Sequence, residues 1–243
     1  MILFIVPTLN EEKYLPILLQ SFVEQDYDQP YEIVIVDGGS TDKTVETALK
    51  FKMRLPILST HECKRGIGRQ RNFGVTQASS ENIVFLDADM KLSSGCLKRI
   101  AHHFESNQKD FIATPFICTY NGRFIDYILA ALAYLYTLIV RRTAPIATGM
   151  CMMTTKSSHE RVNGFNEEMK YAEDIDYGLR AHKLGIPQYI YSNVQVRTST
   201  RRLDRTGRLK VAKTWLSWYK QLVKNGKLDI GTEADYNFGD FKK

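Results

Sequence analysis

The chain alternates short apolar runs of strand length with segments whose apolar residues recur at helical spacing. The runs Ile2–Val6, Tyr31–Val36 and Asn82–Leu86 are the clearest strands, and the segment 15–23 places its apolar side chains on one helical face, with Asn10 as the expected N-cap of that helix. Further along the chain, Ser157–Glu160 has the Ser-x-x-Glu pattern of a helix capping box. Such alternation is typical of βαβ units, in which a helix connects two parallel strands. We therefore predict an α/β fold with a mostly parallel, Rossmann-like sheet flanked by helices.

Each of these strands is followed directly by a polar cluster. The clusters are Pro7–Glu11, Asp37–Asp42 and Asp87–Asp89. In an open parallel sheet, ligands bind in the crevice outside the carboxyl ends of the strands. Gly, Ser, Asp and Asn are also ordinary turn residues, so one cluster alone would carry little weight. Three clusters in corresponding positions predict one shared binding site.

The length of 243 residues suits a single α/β domain with an extension better than two separate domains. We expect the domain to cover residues 1–205. The extension, 206–243, is expected to contain an amphipathic helix with Trp215 and Trp218, followed by a polar tail.

Cysteine usage and the start of the chain favour a cytoplasmic protein. The four cysteines are far apart and lack CxxC spacing, which predicts reduced, buried thiols. The apolar run Ile2–Val6 meets Pro7 too early to act as a signal peptide.

The net charge of +6 does not by its sign separate nucleic acid, anionic lipid and phosphorylated substrates as partners. Arginines gather within 64–71, 141–142 and 197–208, beside other polar motifs. We interpret them as phosphate ligands and expect no nucleic-acid partner.

Asp87 and Asp89 lie two residues apart directly after a strand, so both carboxylates can face one hard cation. Oxygen ligands favour Mg²⁺ or Mn²⁺, and such an ion usually completes its coordination with water and substrate phosphates. A nucleoside diphosphate is a natural partner for this site. An isolated Asp-x-Asp is common in surface turns, so the motif gains its value from the surrounding sequence.

The chain resembles family two glycosyltransferases of the GT-A fold over residues 1–200. Five ordered motifs carry the resemblance: Val6–Glu12, Val36–Thr44, Gly68–Gly74, Phe85–Asp89 and Glu173–Arg180. It implies a metal-dependent enzyme that moves a hexose from a nucleotide-diphosphate sugar to an acceptor hydroxyl, with inversion at the anomeric carbon.

The resemblance also implies roles for individual residues. Asp89 is the main metal ligand, and Asp174, with Glu173 beside it, takes the proton from the acceptor hydroxyl. Acidic residues also favour the first turn of a helix for electrostatic reasons alone. The expected donor-binding residues are Pro7, Thr8, Glu11, Asp37, Gly39, Arg71, Asp87, Gly149, Arg201 and Arg202.

The segment Ser199–Arg202 departs from the family pattern. Many relatives carry a histidine near this point as a further metal ligand, and this chain has none there. The metal is therefore expected to be held chiefly by Asp89 and the substrate. Arg201 and Arg202 suit a grip on the diphosphate from a closing loop, although solvated loop charges are an equal alternative.

The segment Phe124–Val140 is strongly apolar but contains Asp126 and falls short of the roughly 20 residues of a membrane span. Either it is a buried helix beneath the acceptor site, or it is an interfacial helix on an anionic membrane. The second interpretation suits a lipid-linked acceptor at the cytoplasmic membrane face. Resemblance to polyprenol-linked glycan enzymes makes GDP-mannose and UDP-glucose the first donors to test.

Other functions fit the sequence less well. A sugar nucleotidyltransferase is disfavoured by the Glu173–Asp174 pair and by the lack of a glycine-rich first loop. A nicotinamide-dependent enzyme is disfavoured because Arg71 stands where G-x-G-x-x-G needs its third glycine. A catalytically silent module that binds nucleotide sugars or lipids remains an alternative to the glycan-building enzyme.

Overall fold

The computed structural model describes residues 1–55, 57–77, 80–107, 110–140, 148–214 and 217. The strands are β1 Ile2–Thr8, β2 Tyr31–Asp37, β3 Leu58–Glu62, β4 Asn82–Leu86, β5 Met90–Leu92, β6 Ile112–Thr119, β7 Cys151–Thr155 and β8 Gln188–Thr198. The helices are α1 Leu15–Val23, α2 Thr44–Lys50, α3 Ile67–Thr76, α4 Cys96–Ser106, α5 Phe124–Val140, α6 Lys156–Arg161, α7 Glu173–Lys183 and α8 Arg201–Thr206.

Within these residues the strands form one sheet in the order β3-β2-β1-β4-β7-β6-β8-β5. The first half is parallel, as β1 pairs with β2 and β4, and β2 pairs with β3. Strand β7 runs antiparallel between β4 and β6, and β5 runs antiparallel to β8. The predicted α/β fold with a mostly parallel sheet flanked by helices is confirmed.

Helices cover both faces of the parallel strands, which explains why β1 is buried along its whole length. Phe4 and Val6 pack with α1 and α4 on one face, whereas Leu3 and Ile5 pack with α3 and α7 on the other. The alternation of side chains along β1 therefore divides the apolar core into two layers.

Two predicted helix caps are wrong. Helix α1 buries the expected apolar stripe, but its N-cap is Tyr14 and not Asn10. Asn10 has a positive φ of 58° and accepts a hydrogen bond from the Thr41 amide instead. Helix α6 is capped by Thr155, whose hydroxyl accepts from Ser158, so the Ser-x-x-Glu box expected at 157–160 does not form the cap.

The four cysteines form no disulfide, as expected for reduced thiols. Cys96 and Cys151 are buried, while Cys63 and Cys118 are partly exposed. The expectation of burial is therefore correct for only two of them.

Helix α5 is not the buried helix that was one of the two expectations. Its apolar side chains are largely exposed, with Phe124 at 81% and Ile139 at 71%. Asp126 is the buried exception, and its carboxylate accepts two hydrogen bonds from Arg208. Among the described residues no helix combines the length and apolarity needed to cross a bilayer.

The division at residue 205 stays a prediction. Arg208, near the start of the proposed extension, contacts the domain through Asp126. Trp215, Trp218 and the polar tail lie outside the described residues, as do Arg141 and Arg142.

Candidate functional site

The carboxyl ends of β1 and β2 form the first part of the site. Thr8 pairs with Asp37 in the parallel register, and the Gly38 amide donates to the Thr8 carbonyl at 2.9 Å. The Glu11 amide donates to the Thr44 hydroxyl at 2.7 Å. The first two polar clusters therefore interlock at one edge of the sheet, with Pro7 buried in β1 beneath them.

The Asp37 carboxylate organises the loop that follows β2. It accepts from the Thr8 hydroxyl at 3.0 Å, from the Gly39 amide at 3.0 Å, and from the Ser40 amide and hydroxyl at 2.7 and 2.6 Å. Gly39 has a φ of 87°, a backbone conformation that favours glycine. A carboxylate can accept about four hydrogen bonds. The four bonds from Thr8, Gly39 and Ser40 therefore fill the accepting capacity of Asp37.

Gln70 contributes a structural contact that the sequence analysis missed. Its fully buried side-chain amide donates to the carbonyls of Thr8 and Val36 at 2.9 and 2.8 Å, which joins α3 to the ends of β1 and β2. A Cβ on Gly38 would lie 2.9 Å from its oxygen. The only available signal was its place inside the Gly68–Gly74 motif.

Arg71 is the centre of the site and is fully buried. Its Nη1 donates to Glu173 at 2.6 Å, and its Nη2 donates to Asp87 at 3.0 Å and to the Gly149 carbonyl at 2.8 Å. The guanidinium also lies over the ring of Phe165 at 5.1 Å. Protein oxygens therefore surround both terminal nitrogens of Arg71, and its expected donor-binding role stays a prediction.

Asp174 stands at the start of α7 and is partly exposed. The Gly149 amide donates to its Oδ2 at 2.6 Å. A Cβ on Gly149 would lie 2.8 Å from Arg71 Nη2 and 3.1 Å from Asp174 Oδ2. The glycine therefore allows the backbone to approach both side chains closely.

Burial raises the pKa of both carboxylates that pair with Arg71. It raises the pKa of Glu173 to about 7 in spite of the guanidinium beside it. The pKa of the partly buried Asp87 is also raised, because desolvation outweighs the attraction of Arg71 and the exposed Arg202. These carboxylates therefore hold their protons more strongly than groups in water.

A second arginine bridges the remaining carboxylates. Arg201 donates from both terminal nitrogens to Glu11 at 2.7 and 2.6 Å, while its Nε lies 3.0 Å from Asp89 Oδ2. The guanidinium also lies 4.6 Å from the ring centre of Tyr14. Burial raises the pKa of Glu11 to about 7, because the desolvation of the carboxylate outweighs the lowering of its pKa by Arg201. We call Arg201, Glu11 and Asp89 the arginine bridge.

Asp89 is also held by the segment that follows β8. The Ser199 hydroxyl donates to Asp89 Oδ2 at 2.7 Å, and the Ser199 amide donates to the Asp89 carbonyl at 3.1 Å. The described ranges contain no group of three or more His, Cys, Asp or Glu side chains arranged to hold a metal. The position beside Asp89 nevertheless suits a cation, since a guanidinium already lies there between two carboxylates.

Comparison with known proteins gives a consistent family and fold. The family model "Glycosyl transferase family 2" matches residues 3–162. The poly(ribitol-phosphate) β-N-acetylglucosaminyltransferase TarS of Staphylococcus aureus is 30% identical over 182 residues, which cover 73% of this chain and 32% of that protein. A GalNAc(5)-diNAcBac-PP-undecaprenol β-1,3-glucosyltransferase of Campylobacter jejuni is 34% identical over 99 residues, 40% of this chain and 32% of that enzyme. The chain thus spans about a third of the length of these relatives.

Solved structures share the fold. TarS 1-349 in complex with UDP has a TM-score of 0.65 at 23% identity, with 82% of this chain and 60% of that chain covered. The mannosyltransferase PcManGT of Pyrobaculum calidifontis, in complex with GDP-Man and Mn²⁺, has a TM-score of 0.70 at 22% identity, with 94% and 65% covered. The fold is that of GT-A glycosyltransferases, and the chain belongs to glycosyl transferase family 2.

Proposed function

We propose that this chain transfers a hexose from a nucleoside-diphosphate sugar to an acceptor hydroxyl with inversion, and that Asp174 is the general base. One observation carries the proposal. Arg71 hydrogen-bonds to both Asp87 and Glu173, and these are close sequence neighbours of Asp89 and Asp174. A single buried side chain thereby fixes the distance between the donor side and the base, which is what a one-step displacement requires.

On the acceptor side, the Gly149 amide donates to Oδ2 of Asp174 and the Ile175 amide donates to Oδ1, so the partly exposed carboxylate is oriented by two backbone groups. A base so placed removes the proton from a hydroxyl as the oxygen attacks the anomeric carbon. Attack from the side opposite the leaving diphosphate inverts that carbon. Glu173 acts in this proposal by anchoring Arg71.

On the donor side, we propose that Pro7, Thr8, Asp37 and Gly39 form the nucleoside pocket. Asp37 acts by holding the backbone of its loop, since its four bonds stay within the protein. Arg71 becomes a positioning residue, because its buried guanidinium holds Asp87 in place.

The diphosphate is proposed to lie between Asp89 and the arginines. Arg202 is exposed and lies close enough to Asp87 to lower the pKa of that carboxyl, so it is placed to contact phosphate oxygens. Asp89, with Glu11 beside it, would hold Mn²⁺ or Mg²⁺. When bound, such a cation neutralises the charge that develops on the departing diphosphate.

The donor and the role of the cation are tested together by thermal shift. GDP-mannose and UDP-glucose are the favoured donors, and UDP-GlcNAc joins the panel because the TarS relative is named for that sugar. A ligand that binds only the folded chain raises its melting temperature. We expect a shift with one nucleotide in the presence of Mn²⁺, whereas no shift with any nucleotide contradicts the proposal.

Asp174→Asn tests the general base. The amide keeps the size of the side chain but cannot take a proton, so we expect donor binding to persist and transfer to fall by about 10²-fold or more. Asp176→Asn is the matched control, since Asp176 lies on the same helix in a surface ion pair with Arg180. An active Asp174→Asn enzyme removes Asp174 as the base.

The same assays separate the alternatives. A sugar nucleotidyltransferase would release pyrophosphate from a nucleoside triphosphate and a sugar phosphate, and we expect none. A silent binding module would give a thermal shift without turnover on any acceptor.

The acceptor is proposed to be lipid-linked or a glycan, with α5 lying on the cytoplasmic membrane surface. Leu132 and Leu135 on α5 are 56% and 54% exposed, and Arg141 and Arg142 follow the helix in sequence. Apolar side chains with nearby arginines favour the interface of an anionic membrane. The undecaprenol-linked substrate in the name of the Campylobacter relative agrees with such an acceptor.

Vesicle flotation tests this contact. The chain is expected to float with vesicles that contain anionic phospholipid, and Leu132→Glu is expected to stay in the dense fraction. Met53→Glu is the matched control because Met53 is 97% exposed and lies on the segment after α2. A wild-type chain that does not float rules out the membrane contact.

A further inference from the structure

The arginine bridge places a positive charge at the position that the proposed metal ion needs. Arg201 Nε lies 3.0 Å from Asp89 Oδ2, and the two terminal nitrogens of the same side chain occupy both oxygens of Glu11. The side chain is only 18% exposed, and its counterparts Glu11 and Asp89 are 5% and 13% exposed. Each of these contacts is direct and largely shielded from water.

Two cations cannot share the same carboxylate oxygen without strong repulsion at these distances. An ion at Oδ2 of Asp89 must therefore replace the guanidinium there, which costs the energy of a charge-assisted hydrogen bond, and an ion at Oδ1 of the same carboxylate lies close enough to the guanidinium to be repelled by it. The ring of Tyr14 stabilises the guanidinium further, since a cation over an aromatic face is attracted to it. The bridge thus opposes metal binding in the absence of a nucleotide.

We propose that Arg201 is a positioning residue that competes with the divalent cation for Asp89, so that the metal binds strongly only together with the nucleoside diphosphate. The inference rests on the proposed function. A diphosphate offers the guanidinium new oxygen acceptors and offers the cation new ligands, so it lowers the cost of the exchange for both. Binding of metal and nucleotide is then cooperative, and the coupling is reciprocal.

Arg201→Gln tests the competition without any donor or acceptor. The change removes the charge and leaves both carboxylates, Glu11 and Asp89, so Mn²⁺ binding to the nucleotide-free chain should tighten by about tenfold, as followed by the EPR signal of free Mn²⁺. Arg205→Gln is the matched control, because Arg205 is an exposed arginine on the same helix α8. We expect its Mn²⁺ affinity to match the wild type.

Tyr14→Leu provides a second variant that changes no charge. Loss of the ring loosens the guanidinium while the carboxylates and Arg201 remain, and we expect Mn²⁺ to bind about threefold more tightly. Tighter Mn²⁺ binding in Tyr14→Leu would not occur if the tighter binding in Arg201→Gln came only from the removal of its charge. It also keeps the test open if Arg201→Gln does not fold, which its melting temperature would reveal.

Addition of a nucleoside diphosphate provides the second measurement. It should strengthen Mn²⁺ binding more in the wild type than in Arg201→Gln, because the variant has no bridge to open. Unchanged or weaker Mn²⁺ binding in both nucleotide-free variants overturns the competition, even if the wild type transfers sugar. Absence of Mn²⁺ binding in every chain and condition overturns it as well, whereas a chain that binds metal as expected but transfers no sugar contradicts only the proposed function.

Discussion

Gly149→Ala is the most direct test of the close packing of Gly149 against Arg71 and Asp174. The added Cβ would lie 2.8 and 3.0 Å from the terminal nitrogens of Arg71 and 3.1 Å from Asp174 Oδ2. Atoms of this kind pack at about 3.5–4.0 Å, so the side chains must move by roughly half an ångström to one ångström. Overpacking of this size costs about 1–3 kcal/mol of stability.

The effect on catalysis should exceed the effect on stability. A displacement of about 1 Å at the reacting groups lowers rates by about 10²-fold, so kcat should fall to that extent while the fold persists. The assay measures kcat and KM for the donor together with the melting temperature. Because Gly149 bonds to Asp174, the proposed base, and to Arg71, but not to the proposed nucleoside pocket, KM for the donor should change less than kcat.

Gly185→Ala is the matched control. Gly185 has a φ of 69°, and a Cβ there would meet nothing within 4 Å. The substitution should cost about 1–2 kcal/mol through backbone strain and leave kcat unchanged. If Gly149→Ala retained kcat within about threefold at a similar loss of stability, the proposed placement of Asp174 would be refuted.

Three further predictions concern buried charges. Arg71→Met leaves the buried Glu173 and the partly buried Asp87 without their ion pair and should lower the free energy of unfolding by about 3–5 kcal/mol in urea titrations, with only partial recovery in Arg71→Lys. Burial raises the pKa of Glu11 from 4.5 to about 7, so the folded chain keeps a proton that the unfolded chain releases between those pH values. Wild type should therefore lose up to about 3 kcal/mol relative to Glu11→Gln as pH rises through this window, and a constant difference between pH 4.5 and 7 contradicts it. Asp126→Ala removes the buried partner of Arg208, which keeps only its exposed ion pair with Asp204, and should speed proteolysis after residue 205; an unchanged rate argues against docking of the extension.

The sequence predicts the parallel half of the fold because local signals determine it. Apolar runs that end in polar clusters identify β1, β2 and β4, and the rule for parallel sheets brings their ends together. The family motifs then identify Asp89 and Asp174 as candidates for the chemistry, and these roles remain predictions.

The contacts inside the site could not be predicted, because they join distant parts of the chain. Nothing near Arg71 in sequence indicates that Glu173 and Gly149 surround its guanidinium. The same holds for Arg201, which meets Glu11 from almost the other end of the chain. An arginine in a motif indicates charge recognition, but only the fold shows that its partners are carboxylates of the protein.

Local patterns also failed where tertiary contacts compete with them. Asn10 has the residue type of a helix cap, yet its side chain bonds to the loop after β2 and the helix begins later. Helix α5 is apolar enough to lie in a core, but the sequence alone does not show whether its apolar side chains pack against the protein or are exposed on its surface.

The antiparallel strand β7 has a consequence for the order of folding. It pairs Cys151 with Leu86 and thereby brings Gly149 to the end of β4, although the two strands are far apart in sequence. Contacts between nearby segments form with less loss of chain entropy than distant ones, so β1, β2 and β4 should associate before β7 joins them. We therefore expect a chain emerging during synthesis to complete the parallel half of its sheet first and to bring Gly149 next to Asp174 only after β7 has docked.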